Sequence, residues 1–145
     1  MTINAAARAD LDREFATSPF HAFLGLSFDT DASGAARVTM PFREELVSDP
    51  SVPYLHGGVI GSLLDIAGDY AVALELGRGV PTIDMRVDYL KVAGREQLVA
   101  TARLVRLGRS VSVADAEVRN AKGEVIAVGR MLYSTRPPAP APAAS

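Results

Sequence analysis

The chain of 145 residues contains no cysteine and no tryptophan, and its only histidines are His21 and His56. Without cysteine there can be no disulfide, no thiolate metal site and no cysteine nucleophile. Two histidines with no HExxH-like spacing give no support to a zinc site, so we expect no metal.

The chain also lacks a long uninterrupted apolar run and a strong charge of one sign. Asp65 and Asp69 interrupt the longest apolar stretch well before it reaches the length of a membrane span. The first residues mix both charge signs and have no apolar segment like that of a signal peptide. A net charge of -2 gives no reason to expect nucleic acid or an anionic membrane as a partner. These features predict a soluble cytoplasmic protein.

The segment from His56 to Leu76, HGGVIGSLLDIAGDYAVALEL, predicts one long helix that ends near Gly77, Gly79 and Pro81. Its apolar residues lie on every side of the cylinder, which is typical of a buried helix. Asp65 and Asp69 interrupt this pattern four residues apart, and therefore lie on one face. Burying a carboxylate is costly unless it is paired or used, so both are candidate functional residues. If both are buried, their repulsion should raise at least one pKa.

Small and acidic residues form one stripe along this helix. A stripe of this kind allows a thin ligand to come close, or alternatively a second backbone in a tightly packed contact. At its start, the amides of Gly57 and Gly58 have no partners within the helix and could polarise a carbonyl group. The alternative is that the two glycines only permit a tight turn before the helix. The members of the stripe are Gly58, Gly61, Ser62, Asp65, Gly68 and Asp69.

The spacing of Gly57 and Asp65 sets a geometric condition on any shared reaction. Eight residues of helix separate them by about 12 Å. A catalytic carboxylate and an oxyanion donor must each lie within about 3 Å of the reacting groups. One copy of the helix cannot satisfy this, whereas two antiparallel copies could. A joint role therefore predicts a symmetric homodimer with composite sites.

The rest of the chain predicts two short N-terminal helices, the second beginning at Ser18-Pro19 and ending at Leu24. Two strands precede the long helix and four follow it, with short links that predict consecutive antiparallel hairpins. This order favours an α+β fold in which an antiparallel sheet wraps one helix. We expect an N-terminal helical segment over residues 1–24, one domain over 25–134, and a disordered Pro/Ala tail over 135–145.

The sequence HGGVIGSLLDIAGDYAV resembles the motif of hotdog-fold acyl-CoA thioesterases of the phenylacetate-pathway type. The segments TIDMRVDYLKVAG and RLGRSVSVADAEVRNAKGEVIAVGRMLY also resemble parts of that family. The resemblance covers roughly residues 19–134. It implies a hotdog fold, in which a curved antiparallel sheet wraps one long central helix. It also implies hydrolysis of acyl-CoA without a cofactor, in a homodimer that is often paired into a homotetramer.

The resemblance also implies roles for individual residues. Asp65 would be the nucleophile or the general base for water, and the Gly57 amide would polarise the thioester carbonyl. Thr82 would help to hold the attacking water. The resemblance implies that Asp69, Arg106 and Arg109 bind substrate, the two arginines through the phosphates of coenzyme A. Gly58 and Ser62 of the stripe are the other candidate substrate-binding residues. From its place just before the helix, His56 is expected to fix the turn by hydrogen bonding, with a direct acid–base role as the alternative.

One position departs from the family pattern. Many relatives carry Asn or Gln six residues before the motif histidine, where this chain has Pro50. Ser48, Asp49 or Ser51 would have to replace that group, or the carbonyl would depend on Gly57 alone. Two other functions therefore stay open, a non-catalytic acyl-CoA binder and a hotdog dehydratase or hydratase.

Overall fold

The computed structural model describes residues 4–137, so Ile3 of the predicted first helix and residues 138–145 of the predicted tail lie outside it. Helix α1 spans Ala5–Thr17 and helix α2 spans Pro19–Leu24. The Ser18 hydroxyl accepts from the His21 amide and Pro19 occupies the first turn of α2, as the sequence predicts.

Six antiparallel strands form one sheet around a long helix, α3, which spans Gly57–Leu76. The strands are β1 (Ser27–Thr30), β2 (Ala36–Met40), β3 (Thr82–Tyr89), β4 (Leu98–Arg106), β5 (Val111–Asn120) and β6 (Val125–Ser134). This architecture confirms the predicted α+β fold and its central helix. Within residues 4–137 no helix combines the length and the apolar character needed to cross a membrane.

The strand order corrects one prediction. The sheet runs β1-β2-β4-β5-β6-β3, so β3 and β4 do not form the expected hairpin. Strand β3 pairs instead with β6 and ends the sheet, while β4 lies between β2 and β5. The segment between them is a crossover. The Leu90 and Lys91 amides donate to the Ile126 carbonyl, and Ala93 accepts from the Leu55 amide near the start of α3.

Helix α3 is buried on the side that faces the sheet and half-buried on the other. Leu63, Leu64 and Val72 are fully buried. Asp65 and Asp69 are only half-buried, as are Gly61 and Ser62 beside them. The prediction of burial on every side therefore fails along this stripe, because nothing within residues 4–137 covers it completely, whereas Tyr70 on another side is buried against Phe15 of α1.

Gly68 shows that part of the small-residue stripe serves close packing. A Cβ placed at Gly68 would lie 2.3 Å from the Tyr133 hydroxyl and 2.6 Å from the Met131 methyl group. Both neighbours come from the inner face of β6 and are fully buried. The space at Gly68 is therefore occupied by β6 and is closed to a ligand.

We predict that Gly68→Ala destabilises the protein by about 1–3 kcal/mol, because the methyl group must displace buried side chains. Urea denaturation measures the change. Gly61→Ala is the matched control, since its Cβ would meet only the Tyr89 hydroxyl at 3.4 Å. Equal stability of the two variants would contradict the packing described for Gly68.

Candidate active site

The Asp65 carboxylate is held by groups from two strands. Its Oδ1 accepts a hydrogen bond from the Thr82 hydroxyl at 2.8 Å, at the start of β3. The Tyr133 hydroxyl of β6 donates to the Asp65 carbonyl at 2.7 Å and lies 3.3 Å from the same Oδ1. Asp65 is half-buried and Thr82 is exposed, so the carboxylate is fixed in orientation yet open on one side.

Asp69 lies one turn further along the same face and binds the backbone. Its Oδ1 accepts from the Val80 amide at 2.8 Å, in the turn between α3 and β3. Burial, with smaller contributions from the nearby carboxylates of Asp65 and Glu14, raises the pKa of Asp69 from its ordinary value of 3.8 to about 7. The Val80 hydrogen bond opposes this shift. The predicted rise in a carboxylate pKa thus falls on Asp69, with burial as its largest cause.

At the start of α3, His56 caps the helix. Its Nδ1 accepts from the Gly58 amide at 2.9 Å, and its own amide donates to the Leu46 carbonyl at 2.9 Å. The neutral ring therefore carries its proton on Nε2. Ser62 donates its hydroxyl to the Gly58 carbonyl at 2.9 Å. These contacts confirm that His56 fixes the turn before the helix by hydrogen bonding, and they engage two groups predicted to bind substrate.

The Gly57 amide, by contrast, finds no acceptor among residues 4–137. It is the first residue of α3, where the helix dipole adds partial positive charge. The Gly57 carbonyl accepts from the Tyr89 hydroxyl at 2.8 Å, at the far end of β3. An oxygen that reaches Gly57 would thus meet a free N–H on a fixed backbone.

A mainly apolar cleft of about 290 Å³ opens beside Gly57. Leu90 and Val92 in its wall are 60% and 69% exposed, which is unusual for aliphatic side chains and marks a surface suited to an apolar ligand or partner. Its lining includes Tyr54, Leu55, Ile60, Tyr89, Leu90 and Val92.

A larger groove of about 610 Å³ lies on the outer face of the sheet, lined by Arg86, Arg103, Asp115, Glu117 and Arg130 among others. Asp115 and Arg130 already form a bidentate ion pair there, with both contacts at 2.7 Å. The groove contains neither Asp65 nor Gly57, and its charges of both signs largely neutralise one another. The cleft at Gly57 is therefore the better candidate for a reactive site.

Gly57 and Asp65 do not meet within one chain. Both lie on the uninterrupted helix α3, about 12 Å apart by its rise per residue. Strand β3 runs alongside this part of α3 and spans the same distance, because Thr82 at its start binds Asp65 and Tyr89 at its end binds Gly57. The edge of β3 away from β6 has no strand partner within the described residues.

Arg106 and Arg109 lie apart from these groups. Arg106 pairs with Val113 and continues through Leu132 to Asp84, so it is three strand spacings, about 14 Å, from β3. Both arginines are exposed, and neither forms an ion pair within residues 4–137. Within the described residues, neither arginine is hydrogen-bonded to the Asp65 carboxylate of the same chain.

In the turn that contains Pro50, Ser48 is the one predicted replacement for the missing amide side chain that is not hydrogen-bonded to another of them. Pro50 is exposed, and its carbonyl accepts from Arg95 at 3.3 Å. The Asp49 carboxylate accepts from both the amide and the hydroxyl of Ser51, so these two predicted substitutes bind each other. Within the described part of the chain, the Gly57 amide remains an unengaged donor at the cleft.

Comparisons with known proteins show the family to which the chain belongs. Residues 53–127 match the family described as thioesterase superfamily. The chain belongs to the thioesterase superfamily. An Escherichia coli relative named as a medium/long-chain acyl-CoA thioesterase is 32% identical over 130 residues, which cover 79% of this chain and 84% of that protein.

Solved structures place this thioesterase-superfamily chain in the hotdog fold. The X-ray structure of one thioesterase-superfamily protein matches with a TM-score of 0.84 and 39% identity, covering 91% of this chain and all of the other. A protein from Shewanella oneidensis related to the superfamily matches with a TM-score of 0.80 and 29% identity, over 92% and 99% of the two chains.

Sequence reasoning missed two tyrosines of this candidate site. Tyr133 binds Asp65, and Tyr89 binds Gly57. The alternation of inward and outward side chains along β6 places Tyr133 on the inner face with Met131. This pattern could have indicated a buried tyrosine hydroxyl that needs a hydrogen-bond acceptor. The partner of Tyr89 could not be read in the same way, because it depends on how β3 crosses the helix.

We predict that the Asp69 carboxyl makes stability depend on pH. Because its native pKa is raised, the folded state keeps a proton that the unfolded state releases between about pH 4 and 7. The contribution of this protonated carboxyl group to the free energy of unfolding is complete below that window. It declines as pH rises through the window, by at most about 1.4 kcal/mol per pH unit.

Urea denaturation from pH 4 to 8 checks this by comparing wild type with Asp69→Asn, which carries no titrating proton. The variant should become more stable relative to wild type as pH rises. A difference that stays constant with pH would contradict the raised pKa.

Proposed function

We propose that this protein is a thioesterase that hydrolyses acyl-CoA to a free acid and coenzyme A. The observation that carries the proposal is the pairing on α3 of an oriented, open carboxylate at Asp65 with an unengaged amide at Gly57. The acyl-CoA thioesterase from E. coli supports the choice of substrate class.

In this proposal Gly57 and Asp65 act on opposite sides of the thioester. The Gly57 amide donates to the carbonyl oxygen and stabilises the negative charge that develops there. Asp65 either takes a proton from water, whose oxygen adds to the carbonyl carbon, or adds to that carbon itself and forms an anhydride that water then cleaves. In both routes the C–S bond breaks and the coenzyme leaves as a thiolate that takes up a proton.

Thr82 and His56 support these two groups. The Thr82 hydroxyl binds Asp65 Oδ1, so it fixes the carboxylate and leaves the second oxygen for water or substrate. His56 holds the first turn of α3 and so aims the Gly57 amide. Arg106 and Arg109, exposed and without an ion pair in the described chain, are available to the coenzyme phosphates.

The site is composite in this proposal, with each catalytic centre built from two chains. A two-fold axis that pairs the free edge of β3 with its copy reverses the strand direction across the interface. Thr82 and its bound Asp65 then lie opposite the partner's Tyr89 and the partner's Gly57. The exposed side chains of Ile83 and Leu90, 54% and 60% accessible, would be covered in such a homodimer.

We predict that Asp65→Asn abolishes hydrolysis, lowering kcat by about 10³-fold or more, because the amide can neither attack nor accept a proton from water. Free-thiol release from a panel of short, medium, long and aryl acyl-CoAs measures it. The control is Asp10→Asn, which changes an exposed carboxylate on α1 paired with Arg13.

The same panel identifies the acyl group from the wild-type rates. Turnover that persists in Asp65→Asn would exclude the assigned role of Asp65. If wild type shows no turnover but binds the panel, the protein is a non-catalytic acyl-CoA binder, which the absence of an amide side chain at position 50 favours.

Composite sites predict that two inactive variants restore activity when mixed. Gly57→Pro removes the amide hydrogen and adds a ring that the helix accepts, because proline suits the first helical position and His56 has the extended conformation that precedes proline. In heterodimers of Gly57→Pro and Asp65→Asn, one of the two sites has both native groups. Refolded equal mixtures should recover about a quarter of wild-type activity.

Gly57→Ala is the matched control, since it keeps the amide and its Cβ would make an ordinary contact of 3.6 Å with Tyr89. It should remain active. Mixtures that stay inactive while heterodimers form would show that both groups act within one chain. A Gly57→Pro variant that is active by itself would show that the Gly57 amide has no part in the reaction.

A further inference from the structure

Asp69 performs a task that differs from the substrate contact implied by the family resemblance. Its Oδ1 is directed to the Val80 amide at 2.8 Å, in the turn that joins α3 to β3. Val80 is 7% exposed, so this amide is removed from water and needs a protein acceptor. No other acceptor for it is found within residues 4–137.

The turn around Val80 leads directly into the active-site strand. Gly77, with a φ of 73°, ends the helix, and Thr82 begins β3 two residues after Val80. The rest of the turn is tied to β6 and its end: the Ser134 amide donates to the Pro81 carbonyl at 2.8 Å, and Arg78 donates to the Thr135 carbonyl at 2.9 Å. The hydrogen bond from the Val80 amide to Asp69 connects the turn to α3.

Two carboxylates one helical turn apart therefore hold the same short segment at two points. Asp69 binds the amide of Val80, and Asp65 accepts from the hydroxyl of Thr82. These four residues form a closed loop of contacts between α3 and the start of β3. Because Thr82 is exposed and its strand lies at the edge of the sheet, little else fixes the position of its hydroxyl.

We propose that Asp69 is a positioning residue, which by holding the Val80 amide places the Thr82 hydroxyl and so orients the Asp65 carboxylate for catalysis. This inference rests on the proposed role of Asp65. It requires a hydrogen-bond acceptor at position 69 and no charge there, because the Val80 amide is the group bound.

The second oxygen of Asp69 lies next to α1. A Cβ placed at Gly79 would be 3.7 Å from Asp69 Oδ2 and 2.6 Å from Glu14 Oε1, so both carboxyl groups lie against this glycine. Burial and the nearby negative charges of Asp65 and Glu14 raise the pKa of Asp69, which is consistent with a neutral carboxyl group acting as an acceptor.

The test is a double-mutant cycle on the pair Asp69 and Thr82, with kcat and KM measured on an acyl-CoA that wild type hydrolyses. Asp69→Ala should lower kcat about tenfold and change KM less than about twofold, because Gly57 and the cleft are untouched. In the Thr82→Val background, adding Asp69→Ala should lower kcat by no more than about twofold, because the group it positions is already absent.

Asp69→Asn distinguishes an acceptor from a charge. The amide oxygen can accept from Val80 as the carboxyl does, so this variant should keep kcat within about threefold of wild type. If Asp69→Ala does not fold, Asp69→Ser replaces it in the cycle, since its shorter side chain leaves the Val80 amide unbound.

Three results would overturn the inference: wild-type kcat in a folded Asp69→Ala or Asp69→Ser variant, a loss in the double variant equal to the product of the single losses, or an Asp69→Asn variant as impaired as Asp69→Ala. A general loss of stability would give the second result, since it lowers the active fraction in both backgrounds alike.

The Asp65→Asn variant measured alongside separates the two proposals. Hydrolysis that persists there overturns the proposed function, whereas its loss together with a fully active Asp69→Ala overturns only the role of Asp69.

Discussion

The hydrogen bond between Asp65 and Thr82 is the contact on which the arrangement of this site depends. It joins the long helix to the first residue of an edge strand, on the half-buried stripe of the helix. Tyr133 approaches the same residue from β6, and the absence of a side chain at Gly68 makes room for its hydroxyl. A carboxylate that would be costly to bury is thereby kept half-buried, hydrogen-bonded and accessible.

A second constraint comes from the stiffness of the helix. Gly57 and Asp65 stay about 12 Å apart whatever their side chains do, because α3 continues unbroken between them. Strand β3 spans that distance, with Thr82 and Tyr89 attached to the two groups. The edge of β3 that has no strand partner within the described residues could pair with the same edge of a second chain. Such pairing would bring Gly57 of one chain to Asp65 of the other and so form a composite centre.

Much of this could be predicted from the sequence because its local signals agree with one another. The apolar pattern of α3, the Ser18-Pro19 cap and the period-two strands each depend on neighbours close in the chain. The pairing of β3 with β6 could not be predicted in that way, because strand order depends on contacts between distant segments. The chain between Leu90 and Gln97 resembles a simple turn in composition, yet it crosses from one edge of the sheet to its interior.

The candidate site shows the same division. Asp65, Gly57 and His56 follow from one continuous motif, and their helix positions were predictable from spacing alone. Tyr133, Tyr89 and the Val80 amide lie far from that motif in sequence, and only the folded sheet brings them to it. For that reason the sequence could indicate which carboxylates matter, and the family resemblance could assign catalysis to Asp65, but neither could show that Asp69 binds the Val80 amide.

In the proposed mechanism one thioester is held between two chains. The most direct measurement is a crystal structure of the protein with a non-hydrolysable acyl-CoA ketone analogue bound. We expect the ketone oxygen about 3 Å from the Gly57 nitrogen of one chain, with the Asp65 carboxylate of the other chain next to the carbonyl carbon. A ketone bound by a single chain, or one bound away from Gly57 and Asp65, would contradict this account.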